Sequence, residues 1–107
     1  MCAIIGSTSY SQVKNFSWLE SGLNLVKHRG PDNRDLWISE NKKVVFGHRR
    51  LSIIDLSVNG NQPMHSKCKN YSIIFNGEIY NYKSISKNIL EKGINLISKT
   101  DTEILLN

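Results

Sequence analysis

The sequence predicts an α+β fold. Short runs of β-branched and aromatic residues, closed by turn residues, read as strands at 1–6, 35–38, 43–48 and 71–75. Segments with helical spacing of apolar residues, each with a start or stop signal, fall at 17–27, 81–92 and from 100 onward. A composition of 39% hydrophobic and 21% charged residues lies within the globular range, and 107 residues suffice for one core.

The first strand begins at Met1-Cys2-Ala3-Ile4-Ile5 and closes at Gly6. Ser17-Trp18-Leu19-Glu20 has the spacing of a capping box, in which the hydroxyl and the carboxylate satisfy free amides of a helix start. Trp18, Gly22, Leu23 and Val26 carry that helix to about Lys27, and Gly30-Pro31 stops it, because proline disfavours helical geometry just before itself. Ser39-Glu40-Asn41-Lys42 turns between two strands to make a hairpin. After the apolar stretch 51–55 comes a loop at 57–63, rich in Asn, Gly and Pro. The helix at 81–92 carries Ile85, Ile89 and Leu90 and ends at Gly93. A short strand is expected at 94–97, and Thr100-Asp101-Thr102-Glu103 is a second capping box. Nothing terminates this last helix, and the strands would leave open edges and an uncovered face. The expectation is therefore the first part of a larger domain.

Composition excludes several function classes. No apolar run approaches the roughly 20 residues of a membrane-spanning helix, and residues 1–20 lack the charged and apolar regions of a signal peptide. Two cysteines, Cys2 and Cys68, do not make a disulfide scaffold, and the expected location is the cytoplasm. The net charge of +5 invites a nucleic-acid reading, but the lysines are scattered among Asn and Ser. No basic strand with interleaved aromatics exists to track phosphates and stack bases, so no nucleic-acid partner is expected.

A few residues can carry chemistry. Cys2 has a small side chain, after which an initiator methionine is commonly removed. Removal would leave thiol and α-amine on one residue, and an α-amine with a pKa of about 7.7–8.0 can take up the thiol proton near neutrality. Asn76-Gly77 follows directly on a strand, where an amide side chain and a glycine N–H can converge as an oxyanion hole. His28-Arg29-Gly30-Pro31-Asp32 packs two basic residues, a turn and a carboxylate together. Cys68 reads as a spectator thiol in a Lys-rich loop, His48 and His65 lack metal-ligand spacing, and Trp18 and Trp37 read as core aromatics.

These segments, with His48-Arg49-Arg50-Leu51-Ser52-Ile53-Ile54-Asp55, Asn61-Gln62-Pro63-Met64, Asn76-Gly77-Glu78-Ile79-Tyr80-Asn81 and Thr100-Asp101-Thr102-Glu103, occur in one order along the whole chain. In that order the sequence resembles the N-terminal glutaminase domain of class II glutamine amidotransferases, in the asparagine synthetase branch. The resemblance implies the N-terminal part of a four-layer αββα sandwich of the N-terminal-nucleophile hydrolases, residues 1–107 being a partial domain. It implies Cys2 as nucleophile on the glutamine amide, with the Asn76 side chain and the Gly77 N–H as oxyanion hole. It implies that Arg50 grips the substrate α-carboxylate, a task suited to a planar two-pronged donor, and that Asp101 pairs with the α-ammonium. Glu78 and the backbone around Ile53 help to bind, and Asn76 and Gly77 belong to the substrate site too. His28 and Arg29 would shape the loop beside the nucleophile, and Arg49 reads as a surface residue.

Three departures from the family pattern are visible. Cys2-Ala3-Ile4 stands where many members have Gly or Ser in the second place, and Lys99 precedes Thr100-Asp101. The third is length: family members continue into a synthetase domain. No Gly-rich phosphate loop occurs here, so no cofactor is expected in this segment, ATP and Mg²⁺ belonging to the absent synthetase domain. The leading expectation is the glutaminase part of an asparagine synthetase-like enzyme, with glutamine as substrate and a synthetase domain or second half-domain as partner. The alternative is a non-catalytic truncated fragment, or an interaction piece of a split amidotransferase.

Overall fold

The computed structural model describes all 107 residues and confirms the α+β class. Strands β1 (Ala3–Thr8), β2 (Asn33–Ile38) and β3 (Val44–Arg50) form an antiparallel sheet in the order β1-β3-β2. Strands β4 (Met64–His65) and β5 (Ser72–Ile73) form a second, two-stranded antiparallel sheet. Helix α1 (Ser17–Leu25) follows β1, and α2 (Tyr82–Glu91) and α3 (Asp101–Leu106) follow β5.

Alternation along β3 separates two environments, because successive side chains of a strand point to opposite faces. Val45 is fully buried against Leu19 and Leu23 of α1, with Ile5, Phe16, Leu36 and Ile38 around them. The Leu19 and Leu23 side chains also cover Gly47. Phe46, His48 and Arg50 face away from α1: Phe46 lies 5.8 Å from Trp37, centroid to centroid, and Trp37 lies 5.3 Å from His65 of β4. Among the 19 buried residues, polar and charged side chains outnumber hydrophobic ones. Most of that polar interior surrounds the far end of β3 and the start of α3.

Several expectations need correction. Ser17 does not cap α1. It is the first helical residue, its amide is taken by Asn15 Oδ1 at 2.8 Å, and Glu20 pairs instead with Arg34 across to β2. Trp18 is substantially exposed, because the buried stripe of α1 is Leu19 and Leu23. The helix stops at Leu25, and a separate 3₁₀ turn over Lys27–Arg29 leads into Gly30. Arg49 is not a surface residue. It is buried, its Nε donates to Leu23 O at 2.8 Å and its Nη2 to Asn24 Oδ1 at 3.2 Å, so it occupies the carbonyl end of α1, where a cation is favoured.

The strand expected at 71–75 narrows to Ser72–Ile73 because the Phe75 amide goes to Gln62 Oε1 at 2.6 Å. No strand forms at 94–97. Gly93, at φ +79°, closes α2 in a Schellman motif, with its own amide on Leu90 O and that of Ile94 on Ile89 O. The Ile97 and Ser98 amides are then captured by the Glu103 carboxylate at 2.8 and 2.6 Å. Half of the second capping box holds: Thr100 Oγ1 accepts the Glu103 amide at 3.3 Å, but the Glu103 carboxylate serves residues 97 and 98.

Candidate active site

Antiparallel register brings the chain start to the end of β3. Ala3 pairs with Arg49, so Cys2 lies one step beyond, beside Arg50 and Leu51. The sulfur is fixed there: the Leu51 amide donates to Cys2 Sγ at 3.3 Å, and the thiol reaches Leu51 O at 3.6 Å. Arg29 Nε donates to Cys2 O at 3.3 Å, so the basic segment before Gly30 does touch the backbone of Cys2. Gly30 itself has a packing role. A Cβ there would collide with the backbone of Arg49 and Arg50.

Arg50 is almost fully buried and spends several donors on one loop. Its Nη1 donates to Ser57 O at 2.6 Å and to Asn61 Oδ1 at 2.8 Å, and its Nη2 to Asp55 O. Gly60 lies so close to the guanidinium that no side chain fits there. Asp55 ties the same loop to the segment before α3, accepting from Ser57 N and Lys99 N at 2.8 Å each. Hydrogen bonds from the Ser57 side chain, the Lys99 amide and the Ser57 amide, with a smaller contribution from Arg50, hold the Asp55 carboxyl down at about 2.

Asp101 opens α3, where a carboxylate is favoured by the helix dipole. It is buried, and its Oδ2 accepts the Ile79 amide at 3.0 Å, tying α3 to the segment that carries Asn76, Gly77 and Glu78. Gly77 packs on the edge of the Phe75 ring, so residues 75–77 fold back on themselves. Gln62, 5% exposed, joins the two sides: Oε1 accepts the Phe75 amide and Nε2 donates to Thr102 Oγ1 at 3.0 Å.

All the site residues named from the sequence meet in one cleft of about 450 Å³: Cys2, Arg50, Ile53, Asn76, Gly77, Glu78 and Asp101. That volume lies within the range of small-molecule sites. Met1 and Tyr80 also line it. Cys68 lies elsewhere, exposed, and both cysteines are free. From the sequence Gln62 and Asp55 have no assigned role, and Glu103 only that of a capping-box carboxylate. All three stand inside motifs that carry the resemblance, and that is the one available signal. Gln62 and Asp55 reach partners as distant as Thr102 and Lys99, and Glu103 turns back onto Ile97 and Ser98, contacts that the spacing of apolar residues does not reveal.

Comparison with known proteins places this geometry. A family model described as a glutamine amidotransferase domain matches residues 1–107. The chain is 46% identical over 82 residues to asparagine synthetase [glutamine-hydrolyzing] 1 of Bacillus subtilis, covering 77% of this chain and 12% of that protein. It is 33% identical over 111 residues to asparagine synthetase [glutamine-hydrolyzing] 3 of the same organism, covering 100% of this chain and 18% of that protein. It is 42% identical over 88 residues to Amidase chry2 of Gibberella zeae, covering 82% of this chain and 13% of that protein. The chain thus spans less than a fifth of the length of these relatives. By sequence and by the match along its whole length, the chain belongs to the class II glutamine amidotransferase domain family.

Proposed function

We propose that this chain is the glutamine-binding and glutamine-hydrolysing part of an asparagine synthetase-like enzyme. The carrying observation is the convergence of Cys2, Arg50, Asn76-Gly77 and Asp101 in one cleft. A free amino acid presents a carboxylate and an ammonium at one end. Arg50 supplies the cation for the first, and Asp101 with Glu78 the anions for the second, while the backbone near Ile53 closes the wall. The side-chain amide then reaches toward Cys2.

With Met1 removed, the Cys2 α-amine takes the thiol proton as Sγ attacks the amide carbon. The Asn76 side chain and the Gly77 N–H receive the oxyanion charge. The α-amine returns the proton to the leaving nitrogen, ammonia departs, and a γ-glutamyl thioester remains. Water releases glutamate from it and restores the thiol. Met1 lines the same cleft, so its removal both frees the amine and clears the space.

The wider reading is that residues 1–107 are the N-terminal part of a four-layer αββα sandwich. It is supported by α1 on one face of the three-stranded sheet, the β4–β5 sheet toward the other, and α3 packed on β4 and β5. The exposed Ile53, Leu56, Val58 and Ile97, and the small share of each relative that is matched, support a partner domain in the same enzyme. Ammonia would pass to that synthetase domain, where ATP and Mg²⁺ would serve amide formation. No helix is long and apolar enough to cross a membrane, and the free, exposed Cys68 supports a cytoplasmic setting.

The test is covalent labelling. In protein shown by intact mass to begin at Cys2, a diazoketone analogue of glutamine is expected to label Cys2, and excess glutamine to protect it. Cys2→Ala should lose both the label and any glutaminase activity measured with the synthetase domain present. A wild type whose sulfur reacts with iodoacetamide but never with the glutamine analogue returns the chain to the non-catalytic alternative.

A further inference from the structure

The two halves of the cleft are held by different elements. Asn76 and Gly77 lie on the segment after β5, whereas Asp101 lies on the first turn of α3. Two ties fix their separation. One is direct, from the Ile79 amide to Asp101 Oδ2 at 3.0 Å. The other runs through a single buried side chain: the Phe75 amide donates to Gln62 Oε1 at 2.6 Å, and Gln62 Nε2 donates to Thr102 Oγ1 at 3.0 Å. The orientation of the amide follows from these partners, because a backbone N–H can meet only the oxygen.

Gln62 is 5% exposed and Thr102 3%, so neither tie is exchanged readily for water. The Phe75 ring lies under Gly77, so a shift of Phe75 is passed on to the oxyanion pair. Losing the amide would also strand a half-buried N–H and a buried hydroxyl, and re-pairing them calls for the segment to move.

We propose that Gln62 is a positioning residue whose amide sets the span between the Asn76-Gly77 oxyanion pair and the Asp101 ammonium anchor. This rests on the glutaminase reading above and deepens it. Gln62 also lines the cleft, but its amide is engaged by Phe75 and Thr102, so its part in this proposal is to hold the donors where the tetrahedral oxyanion forms. Displacements of about an ångström at such donors cost rate by one to two orders of magnitude. In the glutaminase reading the oxyanion pair and the ammonium anchor meet opposite ends of the substrate, so a disturbed span should blur the preference for glutamine over asparagine, which is one methylene shorter.

The experiment compares two reagents on one sulfur. Gln62→Met keeps the bulk and removes both hydrogen bonds. Labelling of Cys2 by the diazoketone is expected to slow at least about 10-fold, while alkylation by iodoacetamide, which needs only an accessible thiol, stays within about twofold. Thr102→Val should act in the same direction, and Thr102→Ser, which keeps the hydroxyl, should restore the wild-type rate. With the synthetase domain present, the glutamine-to-asparagine ratio of kcat/KM should fall in Gln62→Met. Equal losses with both reagents would make Gln62 merely structural, and unchanged diazoketone labelling would remove the proposal. If Gln62→Met does not fold, the Thr102 pair decides by the same criterion. Failure of the glutaminase reading itself is distinguishable, because the wild type would then not take the diazoketone at all, and the proposal would fall with it.

Discussion

Arg49 and Arg50 are neighbours in sequence and opposites in structure. Arg49 serves the carbonyl end of α1, while Arg50 lies against the loop at 55–61 and lines the cleft. Substitution should separate them. Arg49→Met is expected to lower stability by about 1–3 kcal/mol, the usual cost of losing charge-assisted hydrogen bonds, while leaving glutamine-analogue labelling of Cys2 near wild type. Arg50→Lys keeps the charge and loses the planar fork, so that labelling should fall at least about 10-fold. Denaturant unfolding and labelling rates, measured on both variants, check this. Strand alternation alone makes the two unlike, and in the sequence only a fixed register could reveal it. The resemblance singled out Arg50, and Arg50 lines the cleft. It gave no means of seeing that Arg49 is buried, because the Leu23 carbonyl it binds lies on a separate helix.

Among the elements, what could be read from the sequence was whatever depends on near neighbours. The hairpin β2–β3, the long stretch of α2 and its stop at Gly93 are set by turn chemistry and apolar spacing within a few residues. What could not be read depends on side chains arriving from elsewhere. The Glu103 carboxylate removes two amides from a would-be strand at 94–97, and Gln62 ends β5 early by taking the Phe75 amide. The same distinction governs the glycines. Gly93 has a left-handed φ with open space around it, so Gly93→Ala should cost only about 1 kcal/mol. Gly30 has an ordinary φ, but Arg49 and Arg50 backbone fills the space its Cβ would need, so Gly30→Ala should destabilise by more than about 2 kcal/mol and loosen the Arg29–Cys2 contact. Thermal unfolding of the two alanine variants ranks them, and an equal loss would contradict the packing role given to Gly30.

For the molecule as a whole, His48 and Asp55 make stability depend on pH in two separate windows. His48 is fully buried on β3, and neither ring nitrogen has a hydrogen-bond partner. Burial lowers its pKa from 6.5 to about 4; the nearby Phe75 backbone opposes the shift and the Arg50 charge adds to it. The unfolded chain therefore binds a proton that the folded chain refuses. The stability this represents is fully present above pH 6.5 and is lost progressively as the pH falls toward 4, up to about 3 kcal/mol in all. Asp55 acts in a lower window. Its folded value of about 2 lies below the ordinary 3.8, so its contribution is present above pH 3.8 and disappears as the pH falls through 2. Urea unfolding followed from pH 8 to pH 2 should therefore show a decline beginning near 6.5 and a separate acid limb below 3.8. His48→Leu should flatten that decline between pH 6.5 and 4 while leaving the acid limb in place, because leucine carries no group that takes up a proton on unfolding. Asp55→Asn should do the reverse, flattening only the acid limb. If His48→Leu retains the full slope above pH 4, the neutral buried imidazole is not its source.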